Sequence, residues 1–230
     1  MAVRSVFIPT SDHIGVRVIP VEFTWFPGMA VSQAQRSIAS LHHEAAKAGL
    51  HDLLEISSKS ANKVGVALSA FNLTFTTRKY NRTFSVEMAF QASKVFERGG
   101  PYKDLLEADS RTAKRDERLK TSGRLLRFVF LQQEFPLRPA TYFYDWLYIN
   151  ALAKNRELWD AVTGAGGFTD IVFNPEKSVN CQAFSAALFA SLKQAGRLEE
   201  ALESTDSFLD ITRSAYRLRE QENSDGTLFG

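Results

Sequence analysis

A single cysteine, Cys181, excludes an intrachain disulfide and any multi-cysteine zinc site. Such scarcity of thiols points to a reducing cytoplasm. No apolar stretch approaches the roughly 18 residues that a membrane-spanning helix needs. The first residues lack the apolar core of a secretory signal, because Arg4, Asp12 and Arg17 interrupt it. Net charge is also small, at +2, too little to argue for a nucleic-acid partner by itself. Histidine is sparse, and His42 and His43 have no Cys, Asp or further His at ligand spacing, so they read as surface or packing residues. Gly164-Ala165-Gly166-Gly167 is followed by neither Lys-Ser/Thr nor an immediate helix start, which makes it a flexible connector rather than a phosphate loop. Internal repeats, low-complexity tracts and linkers are absent, so a single domain is the simplest reading.

What the sequence does contain suits a substantial core, since 44% of its 230 residues are hydrophobic. Residues Arg4 to Trp25 alternate loosely and predict one or two short strands broken at Pro20. An amphipathic helix is expected from about Ser32, its N-cap, to Ala48, with Ile38, Leu41 and Ala45 as the buried stripe and Gly49 as the stop. Short strands are expected over Leu53–Ser57, Leu68–Thr77, Leu126–Phe130 and Phe168–Phe173. Helices are expected over Ala140–Ala153 and from Ser178 to just before Gly196, with two more helical segments in Leu198–Glu222. The tally of seven or so helices and a few short strands predicts a mainly α fold with a small β component.

Two stretches carry chemistry. Thr83 to Lys94 reads as a helix on which Glu87, Gln91 and Lys94 fall at i, i+4 and i+7, on one face. That stripe either faces solvent or lines a cavity, and spacing alone leaves both open. Between Arg111 and Arg127, seven basic residues stand against Asp116 and Glu117, in a helix or helix pair running to about Thr121 with Gly123 as a break. This segment is either a solvated face or a phosphate-binding patch.

Three blocks of residues resemble the NADAR superfamily of YbiA-like N-glycosidases. One is Ser57-Ser58-Lys59-Ser60 with Gly65 to Asn72, where Ser69-Ala70-Phe71-Asn72 is similar to the family's Ser-Asn-Phe turn. Another is Val86-Glu87 through Gln91 to Lys94, similar to the family's Val-Glu-His-x-x-Gln-x-x-Lys, with Met88 in place of the histidine. The third begins at Asp145-Trp146 and continues through Asn155 to Asp170. The family's C-terminal Trp-Gly-x-Gly motif is replaced by Phe168 to Gln182. Together with the Trp25-Phe26-Pro27-Gly28 start, this resembles the branch of NADAR antitoxins paired with guanine-modifying DarT toxins. The resemblance spans about residues 20 to 210. It frames residues 1–230 as one NADAR-like domain with an N-terminal extension (about 1–50) and a helical C-terminal tail (about 197–230), and its multihelical YbiA-like fold agrees with the mainly α expectation.

The resemblance implies an enzyme that removes ADP-ribose from guanine bases of DNA, without cofactor or metal. Cleaving an N-glycosidic bond builds positive charge on the ribose, and a carboxylate beside the anomeric carbon lowers that barrier. Glu87 is the candidate, in a helical first turn where the dipole favours negative charge. Lys59 is the second catalytic candidate, either as a diphosphate contact or, if desolvated, as a nucleophile forming a Schiff base with the opened sugar. Ser69, Phe71, Asn72, Gln91, Lys94, Trp146, Asp170 and Asn180 are candidate substrate contacts, with Trp146 either stacking on a base or filling the core. A stacked duplex would bury so bulky an adduct, so single-stranded or flipped DNA is expected, gripped by Lys114, Arg118 and Lys120. Two rivals predict other behaviour. One is an N-glycosidase of phosphoribosyl intermediates in riboflavin biosynthesis; the other is a non-catalytic module that binds ADP-ribose or the toxin protein.

Overall fold

In the computed structural model, residues 1–28, 30–77, 81–173 and 181–226 are described, with side chains of the last helix described to residue 217. The first strands are β1 (Ala2–Pro9) and β2 (Val16–Phe23), followed by α1 (Val31–Lys47) and β3 (Leu53–Glu55). Next come α2 (Lys63–Ala67), β4 (Thr74–Thr76), β5 (Thr83–Ser85), α3 (Val86–Ala92) and β6 (Lys94–Phe96). The basic segment folds as α4 (Ser110–Arg115) and α5 (Arg118–Thr121), then β7 (Leu125–Phe130) and β8 (Gln133–Phe135). The remainder comprises α6 (Tyr142–Lys154), α7 (Trp159–Thr163), β9 (Gly167–Thr169), α8 (Gln182–Gln194), α9 (Leu198–Ala201) and α10 (Thr205–Gly226). Short 3-10 turns over Lys103–Glu107 and Arg156–Leu158 complete it. None of the described helices is long and apolar enough to cross a membrane.

The mainly α expectation is corrected: the chain is 46% helical and 20% strand, with several sheets, a mixed α/β protein. The strands β3, β4, β5, β6, β8 and β9 have three residues each, too short for a period-two pattern to register. β3, β6 and β9 also find their partners far along the chain.

The chain forms two compact units. The first comprises residues 1–55, 160–171 and 183–230. Its four-stranded sheet has the order β2-β1-β9-β3, with β1 antiparallel to β2 from Ala2↔Phe23 to Pro9↔Val16. The expected break at Pro20 does not occur. β2 is an edge strand, where a residue without an N–H can be accommodated without costing a ladder bond. Val6, Val21 and Phe23 pack with Ile38, Leu41 and Ala45 of α1, the stripe the periodicity marked. The N-cap of α1 is Ala30, with no side-chain bond, and Ser32 lies inside the helix. Gly166 passes so close to His51 that an added Cβ would stand 2.4 Å from its carbonyl oxygen, so the glycine run is packed at this point.

The second unit comprises residues 56–159 and 172–182. It holds the β4-β5 hairpin and the antiparallel sheet β6-β7-β8. Leu68–Thr77 is mostly turn, with only Thr74–Thr76 extended. An aromatic core joins β7 and β8 to α6: Phe143 stacks on Phe128 at 4.8 Å and meets Phe135 at 4.6 Å between ring centroids. Trp146 belongs to the same core, 5.0 Å from Phe135 and 6.4 Å from Phe130. The expected helix over Thr83–Lys94 is shorter than its pattern. β5 pairs with β4, α3 occupies seven residues, and Lys94 opens β6 opposite Phe128 of β7.

Candidate active site

Backbone bonds of the second unit fix the start of α3 and with it Glu87. The N–H of Val86 donates to Leu73 O and that of Glu87 to Ala70 O, each at 2.9 Å, so the 70–73 turn sets where α3 begins. That turn is tied down in its own right. Ala70 N–H donates to Gln182 Oε1 at 2.8 Å, and the Tyr148 hydroxyl donates to Leu68 O at 2.7 Å. Ser85 caps α3 by accepting from the Met88 N–H at 3.1 Å. Its hydroxyl also meets Ser110 Oγ at 2.7 Å, and Ser110 donates to Phe71 O at 3.0 Å. Two serines thereby join α3, α4 and the Phe71 turn. Met88 turns the other way and packs with Ala92, Leu105 and Ala113, so the residue standing where the family commonly has histidine is an apolar core contact here.

Glu87 is 5% exposed. The Gln91 amide donates to Glu87 Oε1 at 2.8 Å, the i, i+4 contact expected from the spacing. Because a carboxylate accepts and does not donate, the amide must turn its nitrogen to Glu87. Gln91 Oε1 is then left buried with no donor among the described residues. A buried acceptor in that state costs about 1–3 kcal/mol.

One lysine meets this carboxylate and a second responds to its charge. Lys114 Nζ of α4 lies 3.8 Å from Glu87 Oε1 and 4.8 Å from the centre of the Phe71 ring. Lys94 Nζ sits over the Phe90 ring at 4.7 Å. Loss of water around Lys94 drives its pKa down, the Lys114 ammonium pushes the same way, and Glu87 opposes them, leaving it at about 8. Gly100 packs against the backbone of β6: at φ +86°, it lies so close to Lys94 O that an added Cβ would stand 2.1 Å away.

Thus Glu87, Gln91, Lys94, Lys114 and Phe71 come together. Ser69 and Asn72 belong to the supporting turn, where the Asn72 amide donates to Val66 O at 2.9 Å and to Ser69 Oγ at 3.1 Å. Lys59 lies in the same unit, half-buried in a serine turn whose Ser57 Oγ accepts its backbone N–H at 3.2 Å. Its ammonium makes no ion pair or hydrogen bond among the described residues. Trp146 is part of the aromatic core. Asp170 is buried in the first unit, and Asn180 lies outside the described residues.

The basic segment is largely paired within the chain. Arg118 is held by Asp104 at 2.6 Å and Asp116 at 2.8 Å, which raises its pKa further. Arg124 pairs with Glu97 at 3.4 Å and Arg127 with Glu134 at 3.3 Å. Lys120 is exposed. Sequence spacing did not reveal Lys114 as a neighbour of Glu87, because residues 27 positions apart are joined only by the packing of α4 on α3.

The site thus holds a buried carboxylate bonded by an amide, with one lysine ammonium 3.8 Å away and a second close enough to respond to its charge, within a mixed α/β fold. The chain matches the family of DarT1-associated NADAR antitoxins over residues 2–222, and it belongs to that family. Its role is accordingly that of an antitoxin paired with a DarT toxin. No curated protein matches it.

Proposed function

We propose that this protein neutralises its toxin as an ADP-ribosyl glycohydrolase, hydrolysing the bond between ADP-ribose and guanine in DNA. The observation that carries this reading is the buried Glu87 carboxylate beside Lys94 and Lys114, in a chain of the DarT1-associated NADAR antitoxin family. As the guanine departs, positive charge grows on the ribose ring, and Glu87 offsets it or takes a proton from the attacking water. Glu87 has few rigid donors to compete with the substrate. Lys59 engages the diphosphate or the opened sugar from its serine turn. Ser69 and Asn72 shape the wall on the α3 side, and Lys120 contacts the phosphates of single-stranded or flipped DNA.

The test is incubation of the purified protein with an oligonucleotide bearing one ADP-ribosylated guanine. Release of ADP-ribose with return of unmodified DNA is expected, with loss of both in Glu87→Gln. Turnover of phosphoribosyl riboflavin intermediates in place of the oligonucleotide would assign the small-molecule rival. Toxin neutralisation that survives Glu87→Gln in cells would assign the non-catalytic one.

A further inference from the structure

Lys114 meets the Glu87 carboxylate directly, and Lys94, lying over Phe90, responds to the charges of both. Lys114 Nζ reaches Glu87 Oε1 at 3.8 Å from α4, across the Phe71 ring. Lys94 comes from β6, with Phe90 beneath its ammonium, and the charges acting on it are Glu87 from α3 and Lys114 from α4. The strand paired with it places the uncharged Phe128 opposite, and α6 contributes the Tyr144 ring edge-on to Phe90. An exposed phosphate-binding lysine has no need of such surroundings; an amine that must give up and regain a proton does.

We propose that Lys94 is the proton donor to the departing guanine nitrogen, and that Lys114 is a positioning residue that sets how readily it donates. This rests on the glycohydrolase reading above. The bond from the anomeric carbon to the guanine nitrogen breaks, its electron pair stays on nitrogen, and that nitrogen takes a proton from the Lys94 ammonium. Water adds to the anomeric carbon and loses a proton to Glu87. Transfer of that proton from Glu87 to the neutral Lys94 amine restores both groups, and ADP-ribose and guanine-bearing DNA are the products. With Lys94 losing its proton near pH 8, the donor is charged at neutral pH and still a willing acid. Lys114 repels the Lys94 ammonium, so removing its charge moves that proton loss to higher pH.

Two measurements test this. In the first, Lys94→Met is compared on the guanine adduct and on an ADP-ribosyl 4-nitrophenyl substrate, whose leaving group needs no proton. The expected loss is about 100-fold or more on the guanine adduct and less than about 3-fold on the nitrophenyl substrate. Equal losses on both would overturn the proposal and return Lys94 to anion binding. In the second, the pH profile of hydrolysis of the guanine adduct is compared between wild type and Lys114→Met. The wild-type rate should fall as pH rises through about 8, and the falling limb should move upward in the variant. A limb that stays in place, or a wild-type rate that rises through this range, would overturn it. No release of ADP-ribose by wild type at any pH would instead sink the glycohydrolase reading itself.

Discussion

Glu55 and Glu87 are both glutamates taken almost wholly out of water, at 3% and 5% exposure. Glu55 closes β3 in the first unit and accepts from Thr169 Oγ1 at 2.6 Å and from the Ile171 N–H at 2.9 Å. Thr169 has one proton and spends it on Glu55, so the His42 Nε2 that approaches Thr169 Oγ1 at 2.9 Å must itself be the donor. Burial lowers the pKa of His42 and so favours the neutral ring, with its proton on Nε2. These bonds tie Glu55 of β3 to Thr169 of β9 and to Ile171 just beyond it. Glu87 has one side-chain amide and two amines. Burial alone therefore does not separate the two acids; a lysine ammonium 3.8 Å from Glu87 sets it apart.

Exchanging the fates of these two acids is the sharpest way to break that contrast. Glu87→Gln keeps an acceptor for Gln91, so the rate of hydrolysis should fall roughly 1,000-fold while thermal unfolding shifts little. Glu55→Ala should do the reverse. Losing two bonds to a buried charge costs about 3 kcal/mol and lowers the melting temperature by about 6–12 °C, with turnover per folded molecule nearly unchanged. Calorimetry and a turnover assay on the two variants check both, and matching profiles would end the distinction.

Lys94 sharpens it further. Its folded pKa of about 8 lies below the ordinary 10.5, so between those values the unfolded chain holds more protons than the folded one. Stability conferred by the rest of the fold is reduced below pH 8, and that reduction fades as pH rises toward 10.5. Lys94→Met should therefore raise the melting temperature at pH 7, with a gain that shrinks above pH 8. A variant that loses activity and gains stability marks a residue kept for chemistry. Gln91→Met frees the protein of a buried orphan oxygen but also of the Glu87 clamp; turnover should drop about tenfold with the melting temperature unchanged or higher. Smallest of all, Lys120→Glu should raise the KM for modified oligonucleotide a few-fold. Arg118→Ala, whose guanidinium already serves Asp104 and Asp116, should change it less than about twofold.

What could be read from the residues alone divides along similar lines. The stripe Ile38, Leu41 and Ala45 is buried as its spacing indicates, and Ala140–Ala153 anticipates α6 closely, because long apolar periods need no distant partner to be recognised. Glu87 and Gln91 meet as i and i+4 neighbours must. The same pattern overextended to Lys94. Ser93 ends the helix by donating its hydroxyl back to Ala89 O at 2.6 Å, while its own carbonyl accepts from Val129 N–H at 2.7 Å. A partner strand more than thirty residues away decides that boundary, and no local propensity announces it. The same dependence on distant pairing hid β6. The strands β5 and β8 pair with their chain neighbours β4 and β7 but are three residues long, too short for alternation to show, and with all three went the mixed α/β character of the fold. Lys114 was visible as a basic residue and invisible as a neighbour of Glu87.

The ion pairs along residues 111–127 have one more consequence. Of the seven basic side chains there, Lys114, Arg118, Arg124 and Arg127 are each matched by a carboxylate of the same chain. Arg111, Arg115 and Lys120 remain as the cations with no such match among the described residues. A strand of DNA gains counterion release only from charges that still have something to neutralise. Plotted logarithmically against salt, affinity for single-stranded DNA at this segment should therefore decline with a slope of about 2, not the roughly 5 that counting basic residues suggests.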